Sequence, residues 1–247
     1  MARISAVRQR RARGTSMQAR SWMRVAALLA MGAGLGGAAA AQTAKGPATP
    51  DWSQTVTKEP TTTPGELDAK QTEIVQKLTA YFNEMGDMKG DFQQISPDGK
   101  RLRGKIYVKR PTSFRFEYNR PSRQLIISDG KQMIIQDLDL NTDDRWGLDK
   151  TPFRLILRKD VDLLRDARIL EVGDTEDRIQ LSLQDKDPNS VGRLKLLFQK
   201  APAIELKEWI TIDSQGLETK VELSEFTKAE NLDAKLFEPA QVYLKKL

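Results

Sequence analysis

Neither cysteine nor histidine occurs anywhere in the 247 residues. Without cysteine there is no disulfide, no thiolate nucleophile and no thiolate metal site. Without histidine the usual general base and the commonest metal ligand are missing. A hydrolase would have to rest on carboxylates alone, with an Asp/Glu pair set close together in a cleft. No catalytic residue, metal site or cofactor is therefore expected. Long apolar runs are also scarce. The uncharged stretch from Val25 to Ala41 is shorter than the roughly 20 strongly apolar residues a membrane span needs, and four glycines soften it.

That stretch reads instead as part of an export signal. Seven arginines (Arg3, Arg8, Arg10, Arg11, Arg13, Arg20 and Arg24) precede it, and Ala39-Ala40-Ala41 closes it. A basic start, a short apolar middle and a small-x-small site form a secretory signal peptide, predicted over residues 1–41. Arg10-Arg11 has no apolar pair close behind it, which favours ordinary secretion over twin-arginine export. The absence of cysteine at the cleavage site excludes lipid anchoring of the chain itself. Removing the leader also removes the apparent basicity. The chain has 40 basic and 34 acidic residues, and taking away the leader's seven leaves 33 against 34. The basic field that steers nucleic acid is then gone, and nucleic acid is not an expected partner.

Residues 42–62 hold Pro47, Pro50, Pro60 and many threonines, with little apolar besides Trp52 and Val56. Such a segment cannot bury a core and is predicted to be a disordered linker. Residues 63–247 form one domain by length. It opens with a helix whose Thr63-Pro64-Gly65-Glu66 start has capping-box form. Ile74, Val75, Leu78, Tyr81, Phe82 and Met85 give that helix one apolar face, and Gly86 is the expected stop.

The period then falls to two. Leu102, Ile106 and Val108 alternate with charged residues, and Phe114, Phe116 and Tyr118 alternate with Arg115 and Glu117. Ile179-Leu181-Leu183, Leu194-Leu196-Phe198, Leu206-Ile210-Ile212 and Val221-Leu223 repeat the pattern. Pro97-Asp98-Gly99, Asp129-Gly130, Gly173-Asp174 and Asp213 to Gly216 punctuate it. Many short strands with one apolar face predict a large antiparallel sheet, which must close or be covered to manage its edges. Thr151 to Arg158 breaks the rhythm and predicts a short helix over the sheet. Asn231 to Phe237 predicts another, with Asn231 as its cap.

Several segments together resemble the outer-membrane lipoprotein carrier family, LolA. They are Gly90-Asp91-Phe92-Gln93-Gln94, the run Lys109 to Phe116 through Arg110-Pro111-Thr112-Ser113, Ser128-Asp129-Gly130-Lys131, Thr151-Pro152-Phe153 and the closing Leu236-Phe237-Glu238-Pro239. The resemblance implies a mainly β fold, a half-open antiparallel barrel of about eleven strands with a short-helix lid over an apolar concave face. It implies a periplasmic, monomeric chaperone that shelters the acyl chains of lipid-modified proteins. An inner-membrane ABC lipoprotein-release transporter would load it, and an outer-membrane acceptor would unload it. The physical need is real, since exposing a sixteen-carbon chain to water costs about 12 kcal/mol.

Within that frame, Phe92, Ile106, Val108, Phe114, Phe116, Tyr118 and Ile127 are the expected walls of an acyl-chain cavity; a filled core would leave the same pattern. Pro152, Phe153, Leu155 and Ile156 are the expected lid. Arg110 continues the Ile106-Val108 face to the strand end, where a charge seeks a carbonyl or carboxylate. The resemblance implies that it bonds the lid and holds the empty cavity shut. Lys109, on the other face, reads as a solvated strand end. Ser128 to Gly130 reads as a hairpin turn, and Asp137, Asp139, Asp143 and Asp144 as a solvated acidic loop lacking calcium-loop spacing. Two features depart from the family: Ile134-Ile135 replaces an aromatic pair, and the loop from Asn141 to Lys150 is short and acidic. The alternative reading is a lipid- or glycolipid-sensing periplasmic module on the same fold.

Overall fold

The computed structural model describes residues 67–240. The expected leader, the linker and the cap at Thr63 lie outside them. The first helix, α1 (Ala69–Glu84), begins later than the Thr63 motif predicts, and its cap is Asp68. The Asp68 carboxylate accepts from the Gln71 backbone N–H at 2.7 Å, and the Gln71 side chain accepts from the Asp68 N–H at 3.1 Å. That reciprocal pair satisfies two donors the first turn would leave open. Ile74, Val75, Leu78 and Phe82 form its buried face.

Eleven strands follow: β1 (Met88–Ile95), β2 (Arg101–Lys109), β3 (Ser113–Tyr118), β4 (Gln124–Asp129), β5 (Gln132–Asp137), β6 (Thr142–Gly147), β7 (Ala167–Asp174), β8 (Arg178–Asp185), β9 (Arg193–Gln199), β10 (Glu205–Ile212) and β11 (Glu218–Lys228). They form one antiparallel sheet in the order β6-β5-β4-β3-β2-β1-β11-β10-β9-β8-β7, unclosed, with β6 and β7 at its edges. Two turn expectations need correction. The acidic stretch after Asn141 is not a loop; most of it is β6, whose Arg145 pairs with Asp143 at 2.8 Å. Charge on an edge strand discourages pairing with a second sheet, which is why this strand lacks an apolar stripe. Gly173 and Asp174 lie inside β7, not in a turn.

Register puts one apolar set on the concave face. Ile106 sits opposite Phe116 and Val108 opposite Phe114. Phe92 faces Gly104 on one side and Leu223 on the other. A bulge in β10 between Leu206 and Glu208 changes the expected stripe there. The extra residue shifts the alternation, so Trp209 pairs with Leu196 on the inner face. Ile210 and Ile212 instead pair with Lys195 and Arg193. Helix α1 closes one half of the concavity, its Phe82 and Tyr81 meeting Phe198 edge-on at 5.9 and 5.4 Å.

Gly104 makes the aromatic floor possible. A Cβ there would lie on the Glu117 carbonyl oxygen and 2.7 Å from the Phe92 ring. Its absence lets Phe92 reach Tyr118 at 5.0 Å and Phe116 at 5.1 Å, both edge-on. Because the obstacle is backbone, the strain cannot be relieved by a rotamer change. Gly104→Ala should lower unfolding stability by about 1–3 kcal/mol, measured by urea unfolding. An unchanged midpoint would show that β2 and β3 can part cheaply.

The convex face carries a second, smaller core. Leu125, Ile127, Ile134 and Phe237 are buried but separate from the main cluster. The segment after β11 crosses this face and is tied to it three times. Lys109 Nζ donates to the Leu232 carbonyl at 2.8 Å, Arg115 Nη1 to Leu236 at 3.2 Å, and Gln136 exchanges bonds with both N–H and carbonyl of Ala240. Two expectations change accordingly. Ile127 is buried against this C-terminal cover instead of lining the concavity, and Lys109 tethers the cover instead of standing free in solvent. The expected helix over Asn231 to Phe237 is a 3-10 turn, Ala234–Phe237, capped by Asp233; Asn231 has a left-handed φ of 55°.

Candidate functional site

The chain between β6 and β7 roofs the concave face. It contains a 3-10 turn (Leu148–Lys150) and two one-turn helices, α2 (Arg154–Leu157) and α3 (Leu163–Asp166). Pro152 sits just ahead of α2, where a missing N–H does no harm. Leu155, Ile156, Leu157 and Leu163 are buried beneath the roof. Half-buried Phe153 meets the sheet, its ring 6.2 Å from those of Phe114 and Trp209. Trp209 meets Phe116 edge-on at 5.9 Å.

Polar contacts pin this roof at several points. The Arg110 guanidinium donates to the carbonyls of Ile156 at 2.7 Å and Arg158 at 2.9 Å, while its backbone N–H donates to Asp87 at 2.9 Å. Both carbonyls belong to the end of α2, where intrahelical partners run out. Burial pulls the Arg110 pKa below its usual value. On the far side, Arg154 forms a two-pronged pair with Asp185 at the end of β8, one prong at 2.6 Å. The Asp185 side chain is fully shielded, and its hydrogen bond raises the Arg154 pKa. Arg158 pairs with Asp166 at 2.7 Å, and Asn83 of α1 clasps both backbone groups of Val161 at 2.9 Å.

Among the described residues, two cavities lie under the roof. The larger is about 130 Å³ and is lined by Phe114, Phe116, Tyr118, Ile126, Met133, Ile135, Pro152, Phe153 and Trp209, with Gln94, Thr211 and Thr219 among its polar groups. The smaller, about 50 Å³, is lined by apolar side chains including Phe82, Ile106, Val108, Ile156, Leu157 and Leu206. Phe114, Phe116, Phe153 and Trp209 line both and form the partition between them.

Of the residues singled out in the sequence, Ile106, Val108, Phe114, Phe116 and Tyr118 line one cavity or the other, as do Pro152, Phe153 and Ile156. Phe92 packs behind Phe116 and Tyr118, and Leu155 lies in the core below the roof. Ile127 is on the opposite face. Trp209 escaped notice because the bulge hides its parity. Gln94 belongs to a segment that carries the family resemblance, but a polar side chain does not read as a wall of an apolar cavity. Of the Ile134-Ile135 pair, only Ile135 lines the cavity; Ile134 belongs to the convex core. Of the expected turn at Ser128 to Gly130, Ser128 and Asp129 end β4 and the turn falls at Gly130-Lys131; the Ser128 hydroxyl braces it, donating to the Thr112 carbonyl and accepting from Gly130 N–H.

A family model described as outer membrane lipoprotein carrier protein LolA matches residues 83–240. The chain belongs to the LolA family. Among curated members, the outer-membrane lipoprotein carrier protein of Pseudomonas paraeruginosa is 27% identical over 179 residues, covering 68% of this chain and 84% of that protein. That of Legionella pneumophila is 28% identical over 184 residues, covering 71% and 85%. Among solved structures, a LolA superfamily protein from Nitrosomonas europaea aligns at 14% identity with a TM-score of 0.39, covering 67% of this chain and 97% of that one. As a LolA member the chain is not an enzyme. Its eleven-stranded unclosed sheet with few helices is the architecture the family resemblance implies.

Proposed function

We propose that this protein carries lipid-modified proteins across the periplasm by sheltering their acyl chains between sheet and roof. The observation that supports this most directly is the Arg110 contact. An apolar concavity is covered by a segment that packs Leu155, Ile156 and Leu157 inward and is also held through its backbone carbonyls at Ile156 and Arg158 by the Arg110 guanidinium. Such a cover can be released without unfolding the sheet.

The cavity dimensions fit an empty resting form. About 130 Å³ is well below the roughly 300–1,000 Å³ of ordinary ligand sites. Phe153 occupies the partition, so lifting it joins the two cavities into one apolar trough. Arg110 then acts as a latch: its two bonds oppose opening when no cargo is present. An inner-membrane ABC transporter that releases lipoproteins would supply the cargo, and an outer-membrane acceptor would receive it.

A fluorescent fatty-acyl probe added to the purified, delipidated protein should bind with Kd in the micromolar range or tighter, about −8 kcal/mol. Lipoprotein cargo should displace it. Absence of saturable binding would remove the basis for this reading.

A further inference from the structure

The larger cavity is not uniformly apolar, and two of its polar side chains are bonded to each other. Gln94 and Tyr118 both line it, with only 3% and 5% of their surfaces exposed. The Tyr118 hydroxyl donates to Gln94 Oε1 at 2.5 Å. Burial pushes the phenol pKa well above its usual range, so the hydroxyl keeps its proton and remains a donor. That bond orients the carboxamide, since the oxygen must face the tyrosine and the nitrogen must face away. Among the described residues Gln94 Nε2 donates one hydrogen bond, to Ser96 Oγ at 3.4 Å, the long limit for such a bond. A carboxamide has two N–H donors, and a hydroxyl that donates still has lone pairs. The pair therefore offers one N–H and one acceptor to whatever fills the cavity.

Placement along the barrel gives this direction. Gln94 pairs with Leu102 and Val221, near the Pro97–Gly99 turn, and Tyr118 ends β3 at the same rim. Val108 and the Arg110 latch lie at the opposite rim, beside the purely apolar second cavity. A site built only to exclude water from hydrocarbon has no use for a buried amide, which costs free energy unless it is bonded.

Resting on the acyl-shelter reading above, we propose that Gln94 and Tyr118 form a subsite for an acyl carbonyl, where a fatty chain joins its ester or amide linkage. The carbonyl accepts from Gln94 Nε2, and the chain runs past Phe153 towards Ile106 and Val108. An amide linkage can also donate its N–H to the Tyr118 oxygen; an ester cannot.

Three fluorescent probes of equal chain length test this: an alkyl ether, an acyl ester and an acyl amide. Wild type should bind the ester and amide about tenfold more tightly than the ether, the scale of one buried hydrogen bond. Gln94→Met should reduce that preference to within about twofold, and a wild-type circular dichroism spectrum would show that the variant is folded. With a 13C-labelled carbonyl, the C=O stretch in wild type should lie at lower frequency than in Gln94→Met. A wild-type preference for amide over ester, lost in Tyr118→Phe, would assign the linkage as an amide. Equal ester and amide affinities would assign the carbonyl alone. Equal affinity of wild type for ether and carbonyl probes would overturn the subsite while leaving the shelter intact. Failure of all three to bind wild type would instead overturn the shelter itself.

Discussion

Arg110→Leu should load acyl cargo as well as wild type or better, and release it to acceptor membranes at least tenfold more slowly. The substitution removes two charged hydrogen bonds, to the Ile156 and Arg158 carbonyls. Bonds to a charged donor contribute about 1.5–3 kcal/mol each. In the proposed cycle they break when the roof lifts, so their loss would destabilise the empty form and spare the loaded one. The equilibrium shifts towards retention, and leucine keeps the rim apolar. Arg110→Lys should fall between the two, because one ammonium cannot span both carbonyls with the same geometry. Lys109→Leu is not an inert control, since Lys109 holds the Leu232 carbonyl. Release assays with a labelled lipoprotein would decide the matter. Equal transfer by wild type and Arg110→Leu would make this charge an ordinary strand end.

Asp185→Asn should free the roof near Arg154, increasing trypsin cleavage after Arg154, Arg158 or Lys159 by about ten- to a hundredfold. The carboxylate is completely shielded and meets the guanidinium with both oxygens. Breaking a buried pair costs about 3–5 kcal/mol when the remaining charge stays trapped. Here the cost is an upper limit, because a lifted roof returns Arg154 to water. Local opening should therefore rise much more than global unfolding. Asp187→Asn, 3.6 Å away and partly exposed, should change cleavage little. Similar digestion of Asp185→Asn and wild type would show that apolar packing alone keeps the roof in place.

What could be read in advance tracks how local the determining physics is. The alternation along Phe114-Phe116-Tyr118 depends on neighbouring residues only, and their common face was evident from the sequence. The Arg110 position followed from the same parity. Leu125 to Ser128 defeated that logic because all four are buried, so alternation could not say which side met the concavity. The answer depends on the Phe237 turn, more than a hundred residues further along the chain. Lys109 likewise finds its partner, the Leu232 carbonyl, far along the chain. In β10 a single extra residue reversed the parity between Leu206 and Trp209, and nothing local in Leu206-Lys207-Glu208 announces a bulge. The helix start failed differently: Thr63 to Glu66 and Asp68 to Gln71 both offer capping chemistry, and the structure shows the second in use.

β6 and β7 follow one another along the chain yet stand at opposite margins of the sheet. The roof joining them is therefore strung from margin to margin, like a cord across a bow. It has no free end on which to swing. Were the sheet to flatten, the cord would be drawn tight and Phe153 would be moved with it. Arg110, just past β2 near the middle of the sheet, grips the cord from the bow's centre, and Asp185 grips it close to the β7 margin. Anything that clasps either margin from outside would thus reach the interior mechanically, by altering tension instead of touching the cargo.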